Sequence, residues 1–125
     1  MFKNISTILI WSENYRALAD WYQEKLGLEI LDEIHHPDDT GVRFKVGNGE
    51  TALWIGQHSQ VHGKNEDMHR HMFNLVVDSV SETYEYLKNK GVTFIATPFK
   101  APTFDKYFAT FCDLDNNLVQ LIGEK

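Results

Sequence analysis

Residues 5–27 read ISTILIWSENYRALADWYQEKLG, and residues 70–91 read RHMFNLVVDSVSETYEYLKNKG. The two stretches say the same thing. Ile8 and Ile10 answer Phe73 and Leu75, and Tyr15, Ala19 and Tyr22 answer Val80, Tyr84 and Leu87, at a constant offset of 65 residues. Gly27 then answers Gly91, one residue tighter. A repeat of about fifty residues implies that neither copy buries its apolar face alone. The chain therefore reads as one domain over residues 1–125: a first module at 5–56, a linker at 57–70 and a second module at 71–122. Any ligand site is expected where equivalent strands of the two copies face each other.

Each copy reads strand, helix, then three strands. Residues 5–11 are β-branched and aromatic enough for a strand. Ser12, Glu13 and Asn14 supply capping groups, and Tyr15, Leu18, Ala19, Tyr22 and Leu26 recur at helical spacing. Gly27 suits a left-handed helix end. A strand near 28–34 precedes a turn cluster at 35–41, after which Val42, Phe44 and Val46 alternate with Arg43 and Lys45. Gly47-Asn48-Gly49 leads by a tight turn into a strand at 51–55. The second copy predicts a strand at 72–77, a helix at 80–90 stopped by Gly91, and a strand at 92–96. An irregular segment then begins at Thr97-Pro98, before strands at 107–112 and 117–122.

Composition narrows the possible partners. Hydrophobic residues make up 42% of the chain and charged ones 24%, which suits a packed globular core. A formal charge of −6 with no basic face disfavours nucleic acid. Cys112 is the only cysteine, so no intramolecular disulfide forms and a reducing compartment is expected. No apolar run approaches the roughly twenty residues that span a bilayer, and Met1-Phe2-Lys3-Asn4 lacks the pattern of a signal peptide. A cytoplasmic protein with no membrane partner is expected.

Three segments in the right order carry a resemblance. Trp21-Tyr22-Gln23-Glu24-Lys25-Leu26-Gly27 and Leu87-Lys88-Asn89-Lys90-Gly91-Val92 resemble the two helix ends of the vicinal oxygen chelate superfamily, which embraces glyoxalases, extradiol dioxygenases and bleomycin resistance proteins. Residues 113–121, from Asp113-Leu114-Asp115-Asn116-Asn117 onward, are similar to its Asp-Pro-Asp-Gly-Asn turn and final strand. Asn116 stands in place of Gly, and Asn is the next-best residue for positive φ. The resemblance implies an α+β fold of two tandem βαβββ modules that form a curved, incompletely closed eight-stranded sheet. It also implies a homodimer.

Enzymes of that superfamily hold a divalent metal with one side chain from the first and last strand of each copy. The resemblance puts those positions at Thr7, Trp54, Met72 and Gln120. A hard divalent ion wants at least three carboxylate or imidazole donors, and this set offers two neutral oxygens. No cofactor is expected on this alignment. A register slip of one residue would turn His71 inward in place of Met72, leaving His71 and Gln120 as metal donors, and a divalent metal belongs only to that alternative.

Other chemistries lack their motifs. There is no Gly-x-Ser-x-Gly elbow, and Gly47-Asn48-Gly49 joins strands and so cradles no phosphate. His58, His62, His69 and His71 read as surface loop residues, as do His35 and His36, and Cys112 reads as strand packing. Alternation instead turns Thr7, Leu9 and Trp11, Ala52 and Trp54, Met72, Asn74 and Val76, and Leu118, Gln120 and Ile122 inward. Such a lining suits a small, partly apolar or aromatic molecule, or else packs shut as core. Two functions stay open: a metal-free small-molecule binding protein, with ligand contacts at Thr7, Leu9, Trp11, Trp54, Met72, Asn74 and Gln120, and a metal-dependent lyase, isomerase or dioxygenase.

Overall fold

A computed structural model describes all of residues 1–125. The ten elements run in the expected order: β1 (Thr7–Ser12), α1 (Tyr15–Leu26), β2 (Glu29–His36), β3 (Asp39–Lys45), β4 (Ala52–Gln57), β5 (Met72–Ser79), α2 (Val80–Asn89), β6 (Thr93–Lys100), β7 (Tyr107–Cys112) and β8 (Leu118–Glu124). The chain divides into two compact units, Met1–Lys64 and Asn65–Lys125. Each is a βαβββ module whose four strands form one mixed sheet, open at both edges.

In the first unit the strand order is β1-β4-β3-β2, with β1 and β4 parallel and the other neighbours antiparallel. The helix between β1 and β2 starts because the Asn14 side chain accepts the Ala17 N–H at 3.3 Å, covering one of the donors a helix start leaves free. It stops at Gly27, whose φ of 66° glycine adopts without strain and whose N–H reaches the Gln23 carbonyl. Leu18, Ala19 and Tyr22 on one helix face are buried, as are Val42, Phe44, Leu53 and Ile55 of the sheet. Each fully buried large side chain contributes about 1.5–3 kcal/mol of transfer free energy. Arg16 on α1 pairs with Glu33 on β2 at 2.9 Å, which identifies the row Ile10, Ile55, Val42, Glu33 as lying on the helix side. Trp54, Arg43 and Leu9 lie on the other face.

The second unit repeats the order as β5-β8-β7-β6. Its helix is capped by Ser79, whose hydroxyl accepts the Glu82 N–H at 3.2 Å, and it ends before Gly91 at φ 87°. Tyr84 of α2 meets Phe94 of β6 edge-on at 4.8 Å. The row Phe73, Val119, Phe111, Phe94 therefore faces the helix. The turn before β8 is tied by Asp113, whose Oδ1 accepts the N–H groups of Asp115 and Asn117 at 2.8 and 3.0 Å. Asn116 in that turn takes φ 63°, as its position in the sequence predicts. Asn65 joins this unit by donating its N–H to the Asp115 carbonyl and its side-chain amide to Asn117.

Two local expectations differ from what is observed. The turn expected over 35–41 is shorter: His35 and His36 pair with Thr40 and Asp39, and the chain reverses at Pro37-Asp38. The irregular segment expected from Thr97 begins later, because β6 continues through Pro98 to Lys100 with a register shift between Ala96 and Phe99. Strand β6 is an edge strand, where the missing proline N–H costs no ladder bond. No helix is long and apolar enough to cross a membrane.

Candidate functional site

The open face of the first sheet is built in rungs. Strand register aligns Leu9, Trp54, Arg43 and Asp32 across β1, β4, β3 and β2, and aligns Trp11, Gly56, Gly41 and Ile34 beside them. The two glycines in the second rung explain the posture of Trp54. A Cβ on Gly56 would run into Trp54 Nε1 and Trp11 Cζ3, and one on Gly41 would meet Trp54 Cζ2. The indole thus lies across bare backbone. It is only 6% exposed, and its Nε1 has no hydrogen-bond partner. A desolvated donor without an acceptor costs roughly 1–3 kcal/mol, so packing alone holds the ring. Trp11 stands edge-on to Trp54, with ring centres 6.3 Å apart, and His58 stands edge-on to Trp11 at 5.3 Å.

Above this floor lies an open concavity of about 610 Å³, lined by Ile5, Ser6, Thr7, Leu9, Trp11, Ile34, Asp39, Arg43 and Trp54. Leu9 and Ile34 are 53% and 38% exposed, so apolar surface faces solvent there. One strong polar contact sits at its side. Arg43 donates Nη2–H to Asp32 Oδ2 at 2.6 Å and Nε–H to Asp32 Oδ1 at 3.1 Å. The hydrogen bonds from Arg43, with its charge adding to them, hold the Asp32 carboxyl below its ordinary range, and Asp32 in turn raises the Arg43 guanidinium.

Thr7, Leu9, Trp11 and Trp54 thus come together on one face. Met72, Asn74 and Gln120 come together on another, the open face of the second sheet, where Asn74 and Gln120 are register partners and Met72 pairs with Leu118. Gln120 donates Nε2–H to Thr110 Oγ1 at 3.1 Å. Met72 is 44% exposed, and His71 is an exposed residue just before the strand. Reasoning from sequence missed Arg43, Asp32, Ile34 and Asp39. Arg43 was foreseeable as a neighbour of Trp54, since both lie equally far from the turn that joins β3 to β4.

The four positions at which the resemblance places a metal do not fit one. The first unit offers the Thr7 hydroxyl and the Trp54 indole, and the second offers the Met72 thioether and the Gln120 amide. No carboxylate, imidazole or thiolate is among them. Nowhere in the chain do three or more His, Cys, Asp or Glu side chains gather in a way that could hold a metal ion.

Comparison with known proteins agrees with this architecture. The model of the glyoxalase/bleomycin resistance protein/dioxygenase superfamily matches residues 4–121. The uncharacterised protein YetH of Bacillus subtilis (strain 168) is 25% identical over 122 residues, covering 97% of this chain and 98% of that one. A glyoxalase family protein from Enterococcus faecalis superposes with a TM-score of 0.78 at 25% identity, over 97% of this chain and 98% of its own. TnmS3, an antibiotic binding protein from Streptomyces sp. CB03234, superposes with a TM-score of 0.77 at 17% identity, over 99% and 98% of the two chains.

Proposed function

The chain belongs to the glyoxalase/bleomycin resistance protein/dioxygenase superfamily, and within it we propose that this protein is a metal-independent binder of a small, flat, partly apolar or aromatic molecule. The observation that carries the reading is the Trp54 indole, laid flat over Gly41 and Gly56 at the floor of an open, apolar-lined concavity. An aromatic floor with an apolar rim and one fixed polar group is the usual chemistry of a small-molecule site. A ligand of roughly twenty heavy atoms at about 0.3 kcal/mol per atom gains about 6 kcal/mol, which corresponds to a Kd of tens of micromolar. TnmS3, which shares the fold, is an antibiotic binding protein, so the scaffold supports this use.

Thr7, Leu9, Trp11 and Trp54 are the proposed contacts on the first sheet. Met72, Asn74 and Gln120 are the equivalents proposed on the second. A homodimer and a cytoplasmic place belong to the same proposal, the first from the family and the second from the single cysteine.

Titration with a library of aromatic compounds, followed by tryptophan emission, tests the binding. Quenching by some members, abolished in Trp54→Ala, supports it, and no response from any member contradicts it. Dialysis against Zn²⁺, Ni²⁺, Mn²⁺ or Fe²⁺ tests the metal independence. A stoichiometric tight metal lost on Gln120→Ala or His71→Ala would favour the enzyme reading.

A further inference from the structure

We infer that the first sheet selects neutral planar ligands bearing a hydrogen-bond-accepting oxygen over their carboxylate analogues, with Arg43 as the reader and Asp32 as the group that orients it. The inference rests on the proposal that this concavity binds an aromatic molecule, and it adds the ligand's polar chemistry.

Arg43 and Trp54 are register partners on adjacent antiparallel strands, so the guanidinium stem stands beside the indole on the same face, about 5 Å away at the backbone. A ring seated in the concavity that both residues line therefore brings its substituents near Arg43. A guanidinium carries five N–H donors. Asp32 takes the Nε donor and one from Nη2, which leaves the two on Nη1 and one on Nη2. Two-point pairing also fixes the guanidinium plane. Both side chains of the pair are close to half exposed, so it adds little to stability. Its consequence is orientation.

Charge decides which oxygen is read. Arg43 and Asp39 are the only charged side chains lining the concavity, and Asp32 already cancels the Arg43 charge. Together the three groups carry a net charge of −1 on a chain of net charge −6. A ligand carboxylate has to compete with Asp32 for Arg43 while facing Asp39. A carbonyl or hydroxyl oxygen accepts a spare N–H and leaves the Asp32 bonds intact.

Calorimetric titration of the full chain with naphthalene carboxamide, naphthalene carboxylate and naphthalene tests this at neutral pH. The carboxamide is expected to bind about tenfold more tightly than the carboxylate, a difference of about 1.4 kcal/mol. Arg43→Met should reduce the carboxamide to the affinity of naphthalene. Asp32→Asn, which keeps the size of the side chain but frees the Arg43 charge, should reverse the order and favour the carboxylate. A loss of orientation alone would weaken both ligands without reversing them. Equal binding of all three probes, or an unchanged order in Asp32→Asn, overturns the inference and leaves the binding proposal standing. No binding by any probe overturns both.

Discussion

Trp54 lies across the backbone of Gly56, its Nε1 occupying the space into which a Cβ at position 56 would project. No hydrogen bond anchors that indole, so the absence of a side chain beneath it defines its seat. Trp11 closes the same space from the β1 side.

Gly56→Ala should therefore push Trp54 and Trp11 off their present geometry. Overpacking of this kind costs about 1–3 kcal/mol. Urea denaturation should show that loss, and the near-ultraviolet dichroism of the tryptophans should change in the folded state. An unaltered dichroism spectrum would contradict the packing described.

The Asp32 carboxyl should titrate below its ordinary value of 3.8, and return toward it in Arg43→Met. Because its folded-state pKa is depressed, the contribution of the pair to stability is fully present above the unfolded value and is lost as pH falls through the folded value. Carbon-detected NMR of the side-chain carboxyl measures this. The same midpoint in both proteins would contradict the pairing.

Asn116 holds a left-handed backbone at φ 63° in the turn before β8. Asn116→Ala should cost about 1 kcal/mol, whereas Asn116→Gly should be nearly neutral. Thermal unfolding of the two variants distinguishes them, and equal losses would argue against backbone conformation as the cause.

Ser79→Ala removes the cap of α2 and the hydroxyl donor to the Lys125 carbonyl. A loss of about 1 kcal/mol is expected in urea unfolding. An unaltered urea midpoint would contradict the capping described.

The parts of the fold written in apolar spacing and special residues were readable in advance. Gly27, Gly91, Asn14 and Asn116 each announce a helix end, a cap or a turn through a backbone need that few residues meet. The paired apolar stripes of α1 and α2 mark the duplication. The β2–β3 hairpin was less readable because His35 and His36 on the edge strand β2, and Asp39 opposite them on β3, are exposed polar residues whose pairing satisfies backbone groups without leaving an apolar pattern. Pro98 argued against a strand that an edge position tolerates.

The site follows the same division. Alternation from the aligned positions placed Thr7, Leu9, Trp11 and Trp54 on one face, because side-chain direction in a strand has period two. Asp32 escaped, since its pairing with Arg43 depends on a bulged register between Ile30 and Asp32 that no local pattern in the sequence announces. The glycine seat of Trp54 escaped as well. Gly41 and Gly56 lie on different strands, and only the β3–β4 register makes them neighbours.

The most direct measurement follows the three indole N–H resonances of isotope-labelled protein while naphthalene carboxamide is added. Trp54 and Trp11 line the proposed site, whereas Trp21 lies on α1 against Tyr22, on the helix side of the sheet, and serves as an internal control. The binding proposal predicts that the Trp54 and Trp11 signals move together and saturate while Trp21 stays in place. Movement of Trp21 alone, or no movement of any signal at saturating probe, would contradict it.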